Sequence, residues 1–146
     1  MRHDPISRWM THTPHTIGAT QPLEVASRLM HEHHIRHLPV LDRGTLVGIV
    51  TERDLTFVET LKGVDPEVTT VAEAMSPNPY RVAPDAPLGR VVREMAVHKY
   101  GAALVVDGGQ VAGVFTTIDA LRVLAQLFAE GRGRPSRRPR LPGRPD

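Results

Sequence analysis

Apolar residues along this chain are spaced alternately as in buried strands and as in helices that bury one face. Residues 47–50 read Val-Gly-Ile-Val, and this short apolar run predicts a buried strand. Leu55, Val58 and Leu61 then recur at every third position, which predicts a helix. Thr51 lies between the two and suits an N-cap, because its hydroxyl oxygen accepts a hydrogen bond from a backbone N–H of the first turn. The segment therefore predicts a strand that runs directly into a capped helix.

This strand-to-helix segment occurs twice. Residues 48–54 (Gly-Ile-Val-Thr-Glu-Arg-Asp) correspond to residues 113–119 (Gly-Val-Phe-Thr-Thr-Ile-Asp), 65 positions later. The same offset, without a gap, relates the identical pairs Met10 and Met75, Pro14 and Pro79, Pro22 and Pro87, Arg28 and Arg93, Met30 and Met95, His33 and His98, and Asp42 and Asp107. One register over so long a stretch indicates an internal duplication.

The sequence pattern predicts the same order of helices and strands in both halves. The first half predicts a helical turn at 6–10, extended residues 15–17, a helix from 20 to about 34, strands at 36–42 and 46–50, and a helix from 52 to about 62. The second predicts a helix at 71–75, extended residues 80–82, a helix from 85, strands at 102–106 and 111–115, and a helix at 117–130. Thr20 and Asp85 are predicted to cap their helices. The strands on either side of the Arg43-Gly44 turn are predicted to form an antiparallel hairpin.

This order predicts a mixed α/β (α+β) fold with two repeats, at residues 1–66 and 67–130. Each half alone is near the size at which buried surface barely offsets chain entropy, so the halves are expected to pack on each other. The last helix has a broad apolar face, which we expect to meet the first half or a second subunit. Residues 131–146 consist mainly of Gly, Pro and Arg and are expected to be disordered.

Composition narrows the possible functions. The chain has no cysteine, which excludes disulfides, thiol catalysis and cysteine-bound zinc. No apolar run approaches the roughly 20 residues of a membrane span and no signal peptide is recognisable, so we expect a cytoplasmic protein that does not enter membranes. Residues 131–146 hold six Arg and one Asp, whereas residues 1–130 hold twelve Lys or Arg and fifteen Asp or Glu. The basic charge belongs to the tail, so nucleic-acid binding by the body is not expected.

The ordered motifs resemble the CBS domain family, here as a tandem pair (a Bateman module) covering about residues 6–124. The motifs are Met10 followed by Pro14, Pro22-Leu23 with its amphipathic helix, Leu-Pro-Val-Leu-Asp at 38–42, and residues 48–54. The resemblance implies that each repeat folds as β-α-β-β-α and that the two pair with pseudo-twofold symmetry. It also implies a homodimer and a regulatory rather than catalytic role.

The resemblance further implies clefts that bind AMP, ADP, ATP or S-adenosylmethionine as regulatory ligands, with no catalytic cofactor. Asp54 and Asp119 would bind the ribose hydroxyls, and Thr51 and Thr116 would contact ribose or phosphate at a helix N-terminus, whose unpaired N–H groups attract anions. The residues expected around the adenine are Thr13, Ile17, Leu38 and Pro39 in the first half and Tyr80, Val82, Ala102 and Ala103 in the second. Arg36 and His37 are candidate phosphate contacts. The second copy has Gly101-Ala102 at those positions, with only Lys99 and Arg81 as nearby cations, and is the weaker candidate for a polyphosphate.

Each of these residues also has an interpretation without a ligand. Thr51 with Asp54, and Thr116 with Asp119, fit a capping box. The run at 31–34 (His-Glu-His-His) could chelate a metal through residues one helical turn apart, or could simply be a solvated helix end. Arg36 and His37 could be exposed charge at a strand edge.

No nucleophile–base pair is recognisable, so we do not expect an enzyme. The sequence favours a stand-alone regulatory module that binds an adenosine-type ligand and signals to an unidentified effector protein. The alternative is a ligand-free scaffold whose basic tail contacts nucleic acid or an acidic protein.

Overall fold

The computed structural model describes residues 1–12 and 15–131 of the 146-residue chain. Thr13 and nearly all of the predicted disordered tail lie outside the described residues. The strands are β1 (Thr11–His12), β2 (Ile17–Gly18), β3 (His37–Asp42), β4 (Thr45–Thr51), β5 (Ser76–Pro77), β6 (Arg81–Val82), β7 (Ala102–Asp107) and β8 (Gln110–Thr116). The helices are α1 (Leu23–His33), α2 (Glu52–Glu59), α3 (Val71–Ala74), α4 (Leu88–His98) and α5 (Thr117–Gly131), and a 3-10 turn spans Ile6–Arg8.

The strands form two four-stranded sheets with equivalent strand orders, β2-β3-β4-β5 and β1-β8-β7-β6. In each sheet the two longest strands form an antiparallel hairpin, as predicted, and a short strand pairs parallel to the first of them. Arg43 and Gly44 make the turn of the first hairpin with positive φ angles of 52° and 80°. The mixed α/β fold expected from the sequence is thereby confirmed.

The opening segment of each half packs on the other half. Strand β1 pairs with β8, where Thr11 lies opposite Val114, and β5 pairs with β4, where Ile49 lies opposite Ser76. The cores follow the same exchange, because Ile6 is buried among residues of the second half and Val71 among residues of the first. Each core therefore contains residues from both sides of residue 66; the repeat bounds themselves stay a prediction.

Glycine is required where the exchanged strands cross. A Cβ atom on Gly48 would lie 2.8 Å from the Ser76 carbonyl oxygen, and one on Gly113 would lie 2.8 Å from the Thr11 carbonyl oxygen. Real Cβ atoms do not approach backbone oxygens so closely, so any side chain here would force the edge strand away. The repeated glycine is thus part of what joins the halves.

The two sheets meet through a third apolar cluster of Leu46, Leu104 and Val114, which confirms that the halves pack on each other. Burying these side chains removes apolar surface that each half would expose if it stood alone. The cleft described below lies near this cluster, at strand ends that belong to both halves.

The prediction that Thr20 and Asp85 cap helices α1 and α4 was wrong. Helices α1 and α4 begin after Pro22 and Pro87, neither of which makes a side-chain cap bond. Their first N–H groups donate to distant backbone carbonyls instead: Leu23 N to Thr69 O at 2.9 Å and Leu88 N to Asp4 O at 2.8 Å. The segments just before α3 and before the 3-10 turn thus accept the N–H groups at the helix starts, which a local cap would otherwise accept.

Candidate functional site

A cleft of about 320 Å³ opens where the two halves meet. One wall is the end of β4 and the start of α2, and the other is the β5–β6 loop with the residues leading into β7. The lining residues are His37, Ile49, Thr51, Asp54, Ser76, Pro77, Asn78, Pro79, Tyr80, Lys99, Tyr100, Gly101 and Ala102. Both halves therefore contribute polar groups to one concave surface, which is the usual form of a small-molecule site.

Thr51 and Asp54 hold the first turn of α2 as a capping box. The Asp54 N–H donates to Thr51 Oγ1 at 3.1 Å, and the Thr51 N–H donates to Asp54 Oδ2 at 2.9 Å. The interpretation as a helix cap is therefore confirmed for this pair. One oxygen of the half-buried Asp54 carboxylate is available for a further hydrogen bond, because Oδ1 accepts none from residues 1–12 or 15–131. Capping and ligand contact are thus compatible here.

Asp119 occupies the equivalent position and is 4% exposed. Its Oδ2 accepts from Thr116 N at 2.9 Å and from Thr116 Oγ1 at 3.2 Å. Its Oδ1 accepts from Thr11 Oγ1 at 3.0 Å and from an Arg122 guanidinium nitrogen at 3.1 Å. Both carboxylate oxygens are therefore occupied by the protein itself.

The additional partners of Asp119 come from positions where the halves differ. At the 65-residue offset, Thr11 corresponds to Ser76 and Arg122 corresponds to Phe57. Phe57 has no polar group, and in the described part of the chain Ser76 makes no hydrogen bond to Asp54. The two identical Thr–Asp pairs therefore have different surroundings.

The helix N-termini are less open to anions than the sequence predicted. The Glu52 N–H donates to the Arg36 carbonyl oxygen at 2.9 Å, and the Asp54 N–H is used in the capping box. In α5 the Thr117 N–H donates to the Gly101 carbonyl oxygen at 3.2 Å. The loop before each hairpin thus supplies an acceptor for the first N–H group of the helix, so fewer N–H groups are left for an anion than expected.

His37 lies between the two carboxylates. Burial lowers the pKa of its imidazole below the usual 6.5, the nearby Asp119 and Asp54 carboxylates raise this pKa, and Arg36 lowers it. The net direction is downward, so His37 is uncharged at neutral pH. It offers the cleft a neutral donor or acceptor and no positive charge.

Two tyrosines form an aromatic wall. The rings of Tyr80 and Tyr100 stack with centroids 4.9 Å apart, and His98 stacks on Tyr100 at 5.1 Å. Glu94 holds the other side of His98 at 3.1 Å. Burial raises the pKa of the Tyr80 hydroxyl, and Glu94 adds to this effect. Tyr80, held in place by its contact with Tyr100, therefore presents an aromatic ring to the cleft that Asp54 also lines.

The structure brings together only some of the predicted ligand residues. His37, Thr51, Asp54, Tyr80 and Ala102 line the cleft. Ile17, Leu38, Pro39 and Ala103 are buried, Val82 is half-buried against the second core, and Arg36 is exposed outside this cleft. Thr116 and Asp119 belong to the other strand-to-helix junction, and Thr13 lies outside the described residues.

Tyr100 and Ser76 were not predicted as lining residues. Tyr100 comes after Lys99, which ends α4 in the left-handed conformation with φ of 59° and turns the chain back toward the cleft. No sequence signal for a left-handed lysine was available, because this conformation is usually taken by Gly or Asn.

The possible metal site at residues 31–34 gains no geometric support. Within residues 1–12 and 15–131, no three His, Asp or Glu side chains come close enough to share a metal ion. His33 instead stacks on His15 with ring centroids 3.8 Å apart. Within the same residues, no helix combines the length and apolar character needed to cross a membrane.

An apolar surface remains exposed on α5 and α2. Ile118, Leu121, Leu127 and Phe128 are between 45% and 66% exposed, and Phe57 of α2 is 65% exposed. The sequence left two partners for this face of α5, the first half or a second subunit. These side chains are not covered by the described part of the first half.

Comparisons with known proteins agree with this geometry. The family model for the CBS domain matches residues 6–59 and 71–126. The CBS domain-containing protein YhcV of Bacillus subtilis is 30% identical over 105 residues, which make up 72% of this chain and 74% of that protein.

Two similar solved structures contain ligands. The CBS domain pair of protein MJ0100 in complex with 5′-methylthioadenosine and S-adenosyl-L-methionine aligns with a TM-score of 0.75 at 26% identity, covering 84% of this chain and 97% of that one. CBSX2 in complex with AMP aligns with a TM-score of 0.73 at 25% identity, covering 86% of this chain and 99% of that one. All three ligands contain adenosine.

Proposed function

We propose that this chain, which belongs to the CBS domain family and carries two copies of that domain, binds an adenosine-type ligand in the cleft around Asp54 and signals its presence to a partner protein. The observation that carries the proposal is the Asp54 carboxylate, which lines a cleft between the halves and has one oxygen that accepts no hydrogen bond from the part of the chain that the structure describes. The adenosine ligands named for the MJ0100 pair and for CBSX2 support the ligand class.

Each lining group has a chemical part in this proposal. Asp54 Oδ1 accepts a hydrogen bond from a ribose hydroxyl, which a carboxylate does more strongly than a neutral group. The Tyr80 ring packs against the base, and the Lys99 ammonium neutralises an anionic substituent at the sugar. Since the cleft walls come from both halves, a bound ligand ties them together. The resulting change in the shape of the protein or in the geometry of its dimer is then the signal that a partner reads.

The second predicted site, with Thr116 and Asp119, stays a prediction. A sugar can reach Asp119 there only by displacing Thr11 or Arg122 from Oδ1. Displacing a charged donor from a buried carboxylate opposes binding, so we assign the first ligand to the Asp54 cleft.

The proposal includes a homodimer formed through the exposed face of α5 and α2. Leu121, Leu124, Phe128 and Phe57 would be buried against their copies in a second chain, which would account for their exposure in the single chain. Leu124→Glu should convert the dimer to a monomer in analytical ultracentrifugation. A wild-type protein that sediments as a monomer at high concentration contradicts this part. A cytoplasmic location and the effector protein remain predictions.

Thermal unfolding with added ligand tests the binding proposal. A ligand at 100 times its dissociation constant adds about 2.7 kcal/mol to the free energy of unfolding, which raises the melting temperature by several degrees. AMP, ADP, ATP, 5′-methylthioadenosine and S-adenosylmethionine are each added. At least one should raise the melting temperature of the wild type and have no effect on Asp54→Ala.

The matched control is Asp107→Ala, which removes an exposed carboxylate at the hairpin turn far from α2. It should respond to ligand as the wild type does. Melting temperatures that do not change with any of the five ligands contradict the proposal.

A further inference from the structure

We infer that the Asp54 cleft selects a nucleoside with at most one phosphate and discriminates against nucleoside di- and triphosphates. This inference rests on the proposed function and narrows its ligand class. Three features of the described residues support it: the charge of the lining, the hydrogen bonds already made at the start of α2, and the size and aromatic wall of the cleft.

The lining is nearly neutral. It contains one cation, Lys99, and one carboxylate, Asp54. The other cations considered from the sequence, Arg36 and Arg81, are exposed and do not line it. A terminal phosphate carries a charge of roughly −2 near pH 7, so Lys99 and solvent can balance one such group. Each further phosphate would add negative charge beside Asp54, and the lining residues within 1–12 and 15–131 include no second cation to pair with it.

The start of α2 does not replace the missing cations. Two of its first three N–H groups are used, by the Arg36 carbonyl oxygen and by Thr51 Oγ1. Glu52 and Asp54 already place negative charge in the first turn, where it interacts favourably with the helix dipole. A polyphosphate would compete with these groups, whereas the uncharged or singly phosphorylated end of a nucleoside would not. His37 adds no charge, because burial lowers its pKa.

The cleft also has the size and wall of a nucleoside site. Its volume of about 320 Å³ is at the lower end of the range found for small-molecule sites. The stacked Tyr80 and Tyr100 rings offer an apolar aromatic surface on which a base can lie. The volume and the aromatic surface of the cleft therefore suit a base with its ribose.

Titration calorimetry without divalent cations and at constant ionic strength tests this inference. The probes are adenosine, 5′-methylthioadenosine, AMP, ADP and ATP. AMP or 5′-methylthioadenosine should bind at least about tenfold more tightly than ATP. Lys99→Gln should lower the affinity for AMP about tenfold, the usual effect of losing one charge-assisted hydrogen bond, and leave that for 5′-methylthioadenosine unchanged.

A gain-of-charge variant reverses the discrimination. Gly101 lines the cleft at the position that corresponds to Arg36, and a Cβ atom there would meet nothing within 4 Å. Gly101→Arg should raise the affinity for ATP about tenfold relative to that for 5′-methylthioadenosine, because it adds a cation where the phosphates would extend. The control Gln110→Arg adds the same charge at an exposed residue outside the lining and should leave the ratio unchanged.

The outcomes separate the two claims. If ATP binds wild-type protein as tightly as AMP, or if Gly101→Arg does not change the ratio, the low-charge selection is overturned and the proposed function stands. If none of these five compounds binds, and S-adenosylmethionine titrated in the same way does not bind either, the proposed function itself fails.

Discussion

The two strand-to-helix junctions have the same Thr–x–x–Asp pattern and different surroundings. Asp54 is half-buried beside a cleft and uses one oxygen to cap its helix. Asp119 is 4% exposed and uses both oxygens to bind Thr116, Thr11 and Arg122. Among the described residues, the duplicated motif therefore leaves one carboxylate oxygen available in the first copy and binds both oxygens to the protein in the second. The residues that make this difference lie outside the motif.

Of the two residues that distinguish Asp119, Thr11 comes from a long-range contact and Arg122 from the same helix. Thr11 reaches Asp119 only because β1 pairs with β8 of the other half, and Arg122 lies one turn further along α5. In the other copy, exchange of β5 brings Ser76 to the equivalent place, and α2 has Phe57 instead of an arginine. Gene duplication produced two strand-to-helix junctions with the same Thr–x–x–Asp pattern, and the residues that surround the two aspartates now distinguish them.

The largest difference should appear in stability. Asp119→Ala removes a buried carboxylate and the hydrogen bonds that it accepts from Thr11, Thr116 and Arg122, and should lower the free energy of unfolding by about 1.5–3 kcal/mol. Asp54→Ala removes a helix cap and should cost about 1 kcal/mol. Urea unfolding of both variants measures the comparison. An equal loss of unfolding free energy in the two variants would mean that the two carboxylates stabilise the fold to the same extent.

Making the junctions alike should lower ligand affinity. Phe57→Arg places a guanidinium at the position that Arg122 holds in the second copy, where it can donate to Asp54 Oδ1. A ribose hydroxyl would then compete with it, so we expect about tenfold weaker binding of AMP by calorimetry, or about 1.4 kcal/mol. Because Phe57 also belongs to the proposed dimer surface, the control is Phe57→Ala, which removes the same ring and adds no donor for Asp54. An affinity unchanged by Phe57→Arg would indicate that Asp54 does not contact the ligand.

The smallest expected effect concerns pH. His37 has a lowered pKa in the folded protein, so the unfolded chain binds a proton first as the pH falls through about 6.5. Stability contributed by neutral His37 is therefore present above this pH and is lost as the pH falls toward the folded-state pKa. The groups facing it are Asp119, Asp54 and Arg36.

His37→Ala, which reproduces Ala102 of the second copy, should reduce the stability lost between about pH 7.5 and pH 5.5 in urea unfolding. A variant with the same pH dependence as the wild type would assign the loss to other groups.

Local patterns and the repeat predicted the elements well. The hairpins, the main helices and the junction at Thr51 follow from residues close together in sequence. The failed caps at Thr20 and Asp85 had a distant cause, because Thr69 and Asp4 carbonyls bind those helix starts. Strand exchange has no local signature either, although Gly48 and Gly113 mark its position. The fold was therefore predictable from periodicity, whereas the exchange of segments had to be observed.

The candidate site was predicted in part for the same reason. Thr51, Asp54, His37, Tyr80 and Ala102 were identified through the family resemblance and the offset. The aromatic contact of Tyr100 depends on the left-handed turn at Lys99. The closure of Asp119 depends on the position of Thr11 in the exchanged strand. Neither is encoded in a short stretch of sequence.

A crystal structure of the protein grown with excess AMP tests the central claim most directly. We predict one AMP in the cleft beside Asp54, with a ribose hydroxyl donating to Oδ1, while Asp119 keeps its hydrogen bonds to Thr11 and Arg122. An AMP whose ribose is bound by Asp119, with the Asp54 cleft empty, would contradict the account.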